Sequence, residues 1–423
     1  MRTRKLMLRL ASSALACAGL SLAGHPAFAA EYWIKADVTT LQPPGAATGI
    51  PMWGYASCTD SSFIICSAVS VPGPALTVPA GETSLTVHLK NNLTKPTSLV
   101  INGLIKPMAP VFTTDAQGRR RVQSFDAEAV PNSTADYTWP DVKPGTYLYQ
   151  SGTQPQVQVQ MGLYGMVSRN EREADAVAGT RARAYADDAY QYDNQAVLLY
   201  SEIDPALHAA IADGSYGTTG PTSTINYAPK YFLINGQAYG QLPTIVPTGS
   251  GGTTLLRLLN AGLQTRVPMA MGRYWDVIAE DGKPYSYLDV GTTPRIAKPM
   301  LRTQYTALLP AAKTMDVLVQ HPPATGTYAI MDRRLGLSNN GASGVGGMMA
   351  FVLPGPGVGG GGTGGVPGSG TGGGTGNQPP VAANDPTAPT MWETVTGVTL
   401  NIAAPGVLAN DSDPNLSQVI TAV

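Results

Sequence analysis

Apolar and polar residues alternate with a period of two along much of this 423-residue chain. In Leu85-Thr86-Val87-His88-Leu89-Lys90 the pattern predicts a strand with Leu85, Val87 and Leu89 on a core and Thr86, His88 and Lys90 facing outward. Trp275-Asp276-Val277-Ile278-Ala279 and Met315-Asp316-Val317-Leu318-Val319 predict further, partly buried strands. The elements also recur. Leu76-Thr77-Val78-Pro79-Ala80-Gly81 leads to Leu89-Lys90-Asn91, and Thr244-Ile245-Val246-Pro247-Thr248-Gly249 leads likewise to Leu258-Leu259-Asn260, at a spacing of about 170 residues. Pro144-Gly145-Thr146-Tyr147 is echoed by Thr325-Gly326-Thr327-Tyr328, and Gly165-Met166-Val167 by Gly347-Met348-Met349. One order of elements occurring twice predicts a duplicated β-sandwich.

Composition sharpens this picture. With 48 glycines, 35 prolines and only 13% charged residues, the chain is turn-rich and poor in long amphipathic helices, so an all-β protein is expected. The expected boundaries are a first sandwich over 30–168, a connector over 169–194 and a second sandwich over 195–354. The connector is rich in Ala, Arg and Asp and is expected on the surface, with at most a helical turn. Residues 355–376 are nearly all Gly with some Pro, Ser and Thr, a flexible linker that cannot bury a core.

Residues 1–29 have a basic start (Arg2, Arg4, Lys5, Arg9), an apolar stretch and an Ala27-Phe28-Ala29 cleavage site, the pattern of a secretory signal peptide. No later stretch has the roughly 20 apolar residues of a membrane span. An exported protein, periplasmic, cell-surface or extracellular, is expected. Without the signal, 23 basic residues face 28 acidic ones, a net charge of −5 that argues against nucleic acid as a partner. Arg119-Arg120-Arg121 is expected in a solvated loop. Cys58 and Cys66 are expected to pair as a disulfide in an oxidising compartment, worth about 2–3 kcal/mol by loop-closure entropy.

Several segments carry a resemblance: Ile50-Pro51-Met52-Trp53-Gly54-Tyr55, Val78-Pro79-Ala80-Gly81-Glu82, Leu89-Lys90-Asn91-Asn92-Leu93, Thr97-Ser98-Leu99-Val100-Ile101-Asn102-Gly103-Leu104, and residues 145–165. Together they resemble the N-terminal domain of multicopper oxidases, and Tyr231–Gly236, Leu256–Gly262 and Val277–Gly282 resemble that family's second domain. The resemblance implies two Greek-key, cupredoxin-like sandwiches. In the family, two histidine pairs of the first domain bind copper ions of an oxygen-reducing cluster, and residues 145–165 match a strand-and-turn segment that presents one pair. On that alignment the first pair falls on Val100 and Asn102, and the second on Gln150 and either Gly152 or Gln154. Copper selects imidazole and thiolate over carboxamide, so no copper cofactor is expected in this chain although the family carries it.

The other candidates are weaker. His88, on an outward strand face, His208, in an Ala-rich helical turn, and His321, before Pro322-Pro323, have no second ligand at metal spacing and are expected in ordinary surface roles. Met161, Met166, Met269, Met271, Met348 and Met349 are expected to fill the core, with a soft-metal site at Met269 and Met271 as the alternative. Residues 377–423 resemble the start of a cadherin-like or immunoglobulin-like surface repeat. Within it Asn410, Asp411 and Asp413 form either an Asx turn or an oxygen-rich calcium loop. Three functions follow as expectations: a non-catalytic binding or structural module, a copper-dependent oxidoreductase completed by a further domain or partner, or a cell-surface adhesin.

Overall fold

The computed structural model describes residues 29–352, apart from 176, 222, 239–244, 246–251, 322–326 and 340–346. The expected signal peptide up to Phe28, the expected Gly-rich linker, and the C-terminal segment with Asn410, Asp411 and Asp413 lie outside the described residues.

The described chain is all-β, built from strands with two short helices. Strands β1 (Ala29–Leu41), β2 (Ile50–Cys58), β4 (Ser84–Asn91) and β8 (Thr134–Trp139) form one sheet of the first sandwich, in the order β2-β1-β4-β8. Strands β3 (Leu76–Val78), β5 (Val100–Asn102), β9 (Gly145–Gln150) and β10 (Tyr164–Arg169) form the other, in the order β3-β10-β9-β5. The predicted period is realised in β4: Leu85, Val87 and Leu89 are fully buried, and Thr86, His88 and Lys90 lie on the outer face. Ile34, Tyr55, Trp139 and Tyr149 complete a core closed from both sheets. Cys58 at the end of β2 is joined to Cys66 in a disulfide.

The larger sheet of the second sandwich contains the four-strand order of the first. Tyr231–Ile234, Asn194–Ile203, Thr253–Asn260 and Thr314–Gln320 are neighbours in that order, matching β2-β1-β4-β8. In both sheets the second and third strands run parallel and the flanking pairs antiparallel. The equivalence reaches single side chains. Asn91 and Asn260, both fully buried, end equivalent strands. Each donates from its amide to the carbonyl four residues on (Lys95, Gln264) and to a loop carbonyl (Ala129, Leu309), and accepts from the backbone N–H two residues on. A buried asparagine so used satisfies the backbone of a loop that leaves the sheet.

Residues 169–194 are not the simple surface connection expected from their composition. Ala182, Ala184, Tyr185, Tyr190 and Tyr192 are buried against Leu255, Ile278 and Leu318 of the second sandwich. The reason lies in a charged core between the sandwiches. Arg257, in the strand Thr253–Asn260, and Asp316, in Thr314–Gln320, are each 1% exposed. Arg257 donates to Thr146 Oγ1 (2.6 Å), Asn170 Oδ1 (2.7 Å) and Gln195 Oε1 (3.1 Å). Asp316 accepts from the hydroxyls of Thr146 (2.6 Å) and Tyr185 (2.5 Å), and its carboxylate lies 3.9 Å from the guanidinium. Thr146 comes from β9, Tyr185 from the connector, and the ions from the second sandwich. Burial and the Asp316 charge hold the Tyr185 phenol well above its ordinary pKa, so it stays a donor.

Two smaller expectations are also corrected. Arg120 and Arg121 belong to an exposed hairpin of β6 (Val111–Thr114) and β7 (Arg120–Ser124) rather than a loop. Arg119 and Arg121 both bond Asp115, and Arg120 lies 3.5 Å over the Phe112 ring, which gives the strand geometry a use for each charge. Met161, Met166, Met348 and Met349 are buried as expected, but Met271 is 44% exposed, because it continues the outward face that follows buried Ala270.

Candidate functional site

The positions singled out in the first sandwich gather where β5, β9 and the helix after β9 meet. Val100 and Gln150 are direct cross-strand partners, and Asn102 lies opposite Leu148. With a period of two, Val100 and Asn102 share a face of β5. Asn102 Nδ2 and Gln150 Oε1 are buried and make no hydrogen bond.

The segment after Gln150 is helical where a strand and turn were expected. Helix α1 spans Pro155–Met161. Its Gln-Val-Gln-Val-Gln sequence has the alternation of a strand, but its ends override that pattern. Pro155 at the first position presets the helical φ, and Gly162 closes the helix at φ 123°, its N–H returning to Gln158 and Val159. Only glycine serves at 162, since a Cβ there would sit 2.2 Å from the Trp53 carbonyl.

Helical geometry turns Gln158 inward, 2% exposed, into a network of hydroxyls that sequence reasoning did not single out. Its Oε1 accepts from Thr97 and Ser151, both at 2.7 Å, and its Nε2 donates to the Pro96 carbonyl at 2.8 Å. Beside it Thr153 bonds Ser98 and Ser124, each at 3.1 Å, and Glu128 at 2.9 Å. The nearby carboxylates are taken: Glu128 also accepts from Gln123, and Asp126 accepts from Lys106 and from the backbone of Ala109 and Ala127. The visible signal for this network is the density of Ser and Thr beside the candidate positions.

The two alternatives for the fourth position differ in the room around them. Gly152 is buried, and a Cβ on it would lie 2.7 Å from Val100 Cγ1 and 2.9 Å from Ser98 Oγ. No side chain fits there, whereas Gln154, the residue before α1, is exposed and has room. Gly152→Ala is therefore expected to destabilise the protein by about 1–3 kcal/mol through overpacking. A urea midpoint equal to that of the unmodified protein would contradict the tight contact.

The donor set at these positions is one aliphatic, three amides and a glycine, and it does not fit copper, which takes neutral imidazole or thiolate. Among the described residues no group of three or more His, Cys, Asp or Glu is placed to hold a metal ion. The three described histidines lie elsewhere. His88 is on the outer face of β4, bonded to Asp136 at 2.7 Å and stacked on Trp33. His208 and His321 were expected at the surface but are buried, 0% and 4% exposed. His208 lies on α2 (Pro205–Ala212) and donates from Nδ1 to the Pro51 carbonyl at 2.7 Å, joining α2 to β2 of the other sandwich. His321 bonds Thr254 at 2.8 Å and stacks near Tyr328. Each is tied to the fold through one ring nitrogen.

No curated protein matches the chain in sequence. Among solved structures it is similar to the blue copper oxidase of Nitrosomonas europaea, with a TM-score of 0.54 and 18% identity over 77% of this chain and 85% of that one. It is also similar to the copper nitrite reductase of Nitrosomonas europaea, with a TM-score of 0.50 and 16% identity over 76% and 93% of the two chains. For Fet3p, a multicopper oxidase that functions in iron import, the TM-score is 0.50 at 17% identity, and the match covers 76% of this chain but only 52% of that one. At these identities the likeness shows a shared cupredoxin-like fold. In sequence, residues 54–174, which hold every candidate position of the first sandwich, match the family model described as multicopper oxidase.

Proposed function

We propose that this protein is an exported, non-catalytic relative of the multicopper oxidases, in which a pair of cupredoxin-like sandwiches serves as a binding or structural module. The observation that carries the reading is the make-up of the candidate positions. Val100, Asn102, Gln150 and Gln154 offer no imidazole, and the space beside Val100 is closed at Gly152. A copper cluster that reduces dioxygen needs ligands whose lone pairs are basic, and amides or an aliphatic at such positions supply none. Export rests on the N-terminal sequence pattern, and no helix among the described residues is long and apolar enough to cross a membrane. The cadherin-like C-terminal unit is compatible with display at a cell surface.

Oxygen uptake tests the reading. Protein exported from copper-supplemented cells is expected to consume no dioxygen above a heat-treated control, with either a phenol or ferrous ion as reductant. Sustained copper-dependent uptake would overturn the reading in favour of an oxidoreductase whose ligands come from outside the described residues or from a partner.

A further inference from the structure

Gln154 lines a cavity of about 380 Å³ that neither sandwich forms alone. Trp53 of β2 and Val157 of α1 supply apolar wall from one side, and Ile211 of α2 and Tyr216 beyond it from the other. Around the mouth stand Thr94, Lys95 and Gln154. These three side chains and the Tyr216 hydroxyl make no hydrogen bond or ion pair among the described residues, in contrast to Thr153 and Gln158 on the floor, whose hydrogen bonds are all internal. The free groups are thus an amide, two hydroxyls and one ammonium, set around two aromatic rings. No carboxylate lines the cavity, and one lysine is the only charge.

We infer that this cavity binds a neutral saccharide. The volume lies within the range of small-ligand sites, roughly 300–1,000 Å³. An amide can donate and accept at once, matching the vicinal hydroxyls of a sugar, and hydroxyls do the same singly. Aromatic rings offer apolar faces of low conformational entropy against which the C–H face of a sugar ring packs. A cation would find no carboxylate here, and a phosphate or polyanion would find a single ammonium and no guanidinium fork. The inference deepens the proposed binding role and rests on it: the residue at the candidate ligand position, Gln154, contacts a sugar rather than a metal.

The test uses the full exported chain in EDTA, with cellobiose, maltose and diacetylchitobiose as probes, digalacturonic acid as the acidic comparison, and calorimetry with saturation-transfer NMR as readouts. At least one neutral disaccharide is expected to bind saturably with a dissociation constant on the order of 1 mM or tighter. Tyr216→Ala and Gln154→Ala, both on the rim and away from the core, are expected to weaken it at least about tenfold. Tyr274→Ala, an exposed aromatic of the second sandwich, is expected to leave it unchanged. No saturable binding by any neutral disaccharide, binding of digalacturonic acid alone, or affinity untouched in both rim variants would overturn the inference. Copper content and oxygen uptake measured on the same preparation before EDTA is added separate the two readings: copper-free protein that binds no sugar fails this inference alone, and copper-loaded, active protein fails the proposed function.

Discussion

Replacing Asp316 by alanine is expected to lower the unfolding free energy by about 3–5 kcal/mol, as expected when one partner of a buried ion pair is removed. Arg257 would be left charged at 1% exposure, with Thr146 and Tyr185 deprived of their acceptor. Burial works against the guanidinium's charge and the Asp316 carboxylate works for it, so the net direction is a raised pKa that depends on this partner. Replacing both ions at once, as Arg257→Met with Asp316→Leu, is expected to cost less than Asp316→Ala alone, since paired removal leaves no uncompensated charge. Because Thr146 and Tyr185 reach this pair from the first sandwich and the connector, Asp316→Ala should also loosen the junction. Denaturant unfolding with a double-mutant cycle reads both effects. A loss under about 1 kcal/mol would mean that the ion pair is hydrated in solution and is not the clamp described.

The second large effect is acid destabilisation through the buried histidines. His208 is held at about 4, against an ordinary 6.5. Burial is the main cause, opposed by the Pro51 carbonyl, the Asp204 charge and the Gln160 backbone. His321 is likewise lowered to about 4, by burial first and the Arg273 charge second. In the unfolded chain both imidazoles take up a proton near 6.5, but in the folded chain neither does until about 4. Between those values the unfolded state binds more protons, so stability rises with pH. The contribution is fully present above about 6.5, falls away as the pH drops toward 4 and levels off below it. For His208 the swing is at most about 3 kcal/mol. His208→Gln, which retains a donor for the Pro51 carbonyl, is expected to be less stable than the unmodified protein at pH 8 but to lose less stability between pH 7 and pH 4. Parallel stability profiles for the two proteins would contradict the assignment.

The sandwich fold was legible because strand burial has a strict period. Leu85, Val87 and Leu89 needed no partner to be named as core, and Asn91 and Asn260 ended strands whose likeness was visible at a fixed spacing. Helix α1 was hidden because Gln and Val alternate through it, and only Pro155 and Gly162 betrayed its ends. The burial of His208 was not legible at all: its partner, the Pro51 carbonyl, is 157 residues away, and nothing in an Ala-rich helix reports which face is covered by another domain. Arg257 and Asp316 left a trace, since each interrupts an otherwise apolar strand (Leu256-Arg257-Leu258 and Met315-Asp316-Val317), which is how a buried ion pair looks in one dimension. At the candidate site the residue types could be read directly, but the crowding of Gly152 against Val100 exists only in three dimensions.

Copper stoichiometry tests the central claim most directly. Elemental mass spectrometry on protein exported from copper-supplemented cells, with a visible spectrum of the same sample, is expected to find less than about a tenth of a copper per chain and no blue band, the level of adventitious binding. Two or more tightly held coppers per chain would contradict the account, and would place ligands other than Val100, Asn102, Gln150 and Gln154 at the metal.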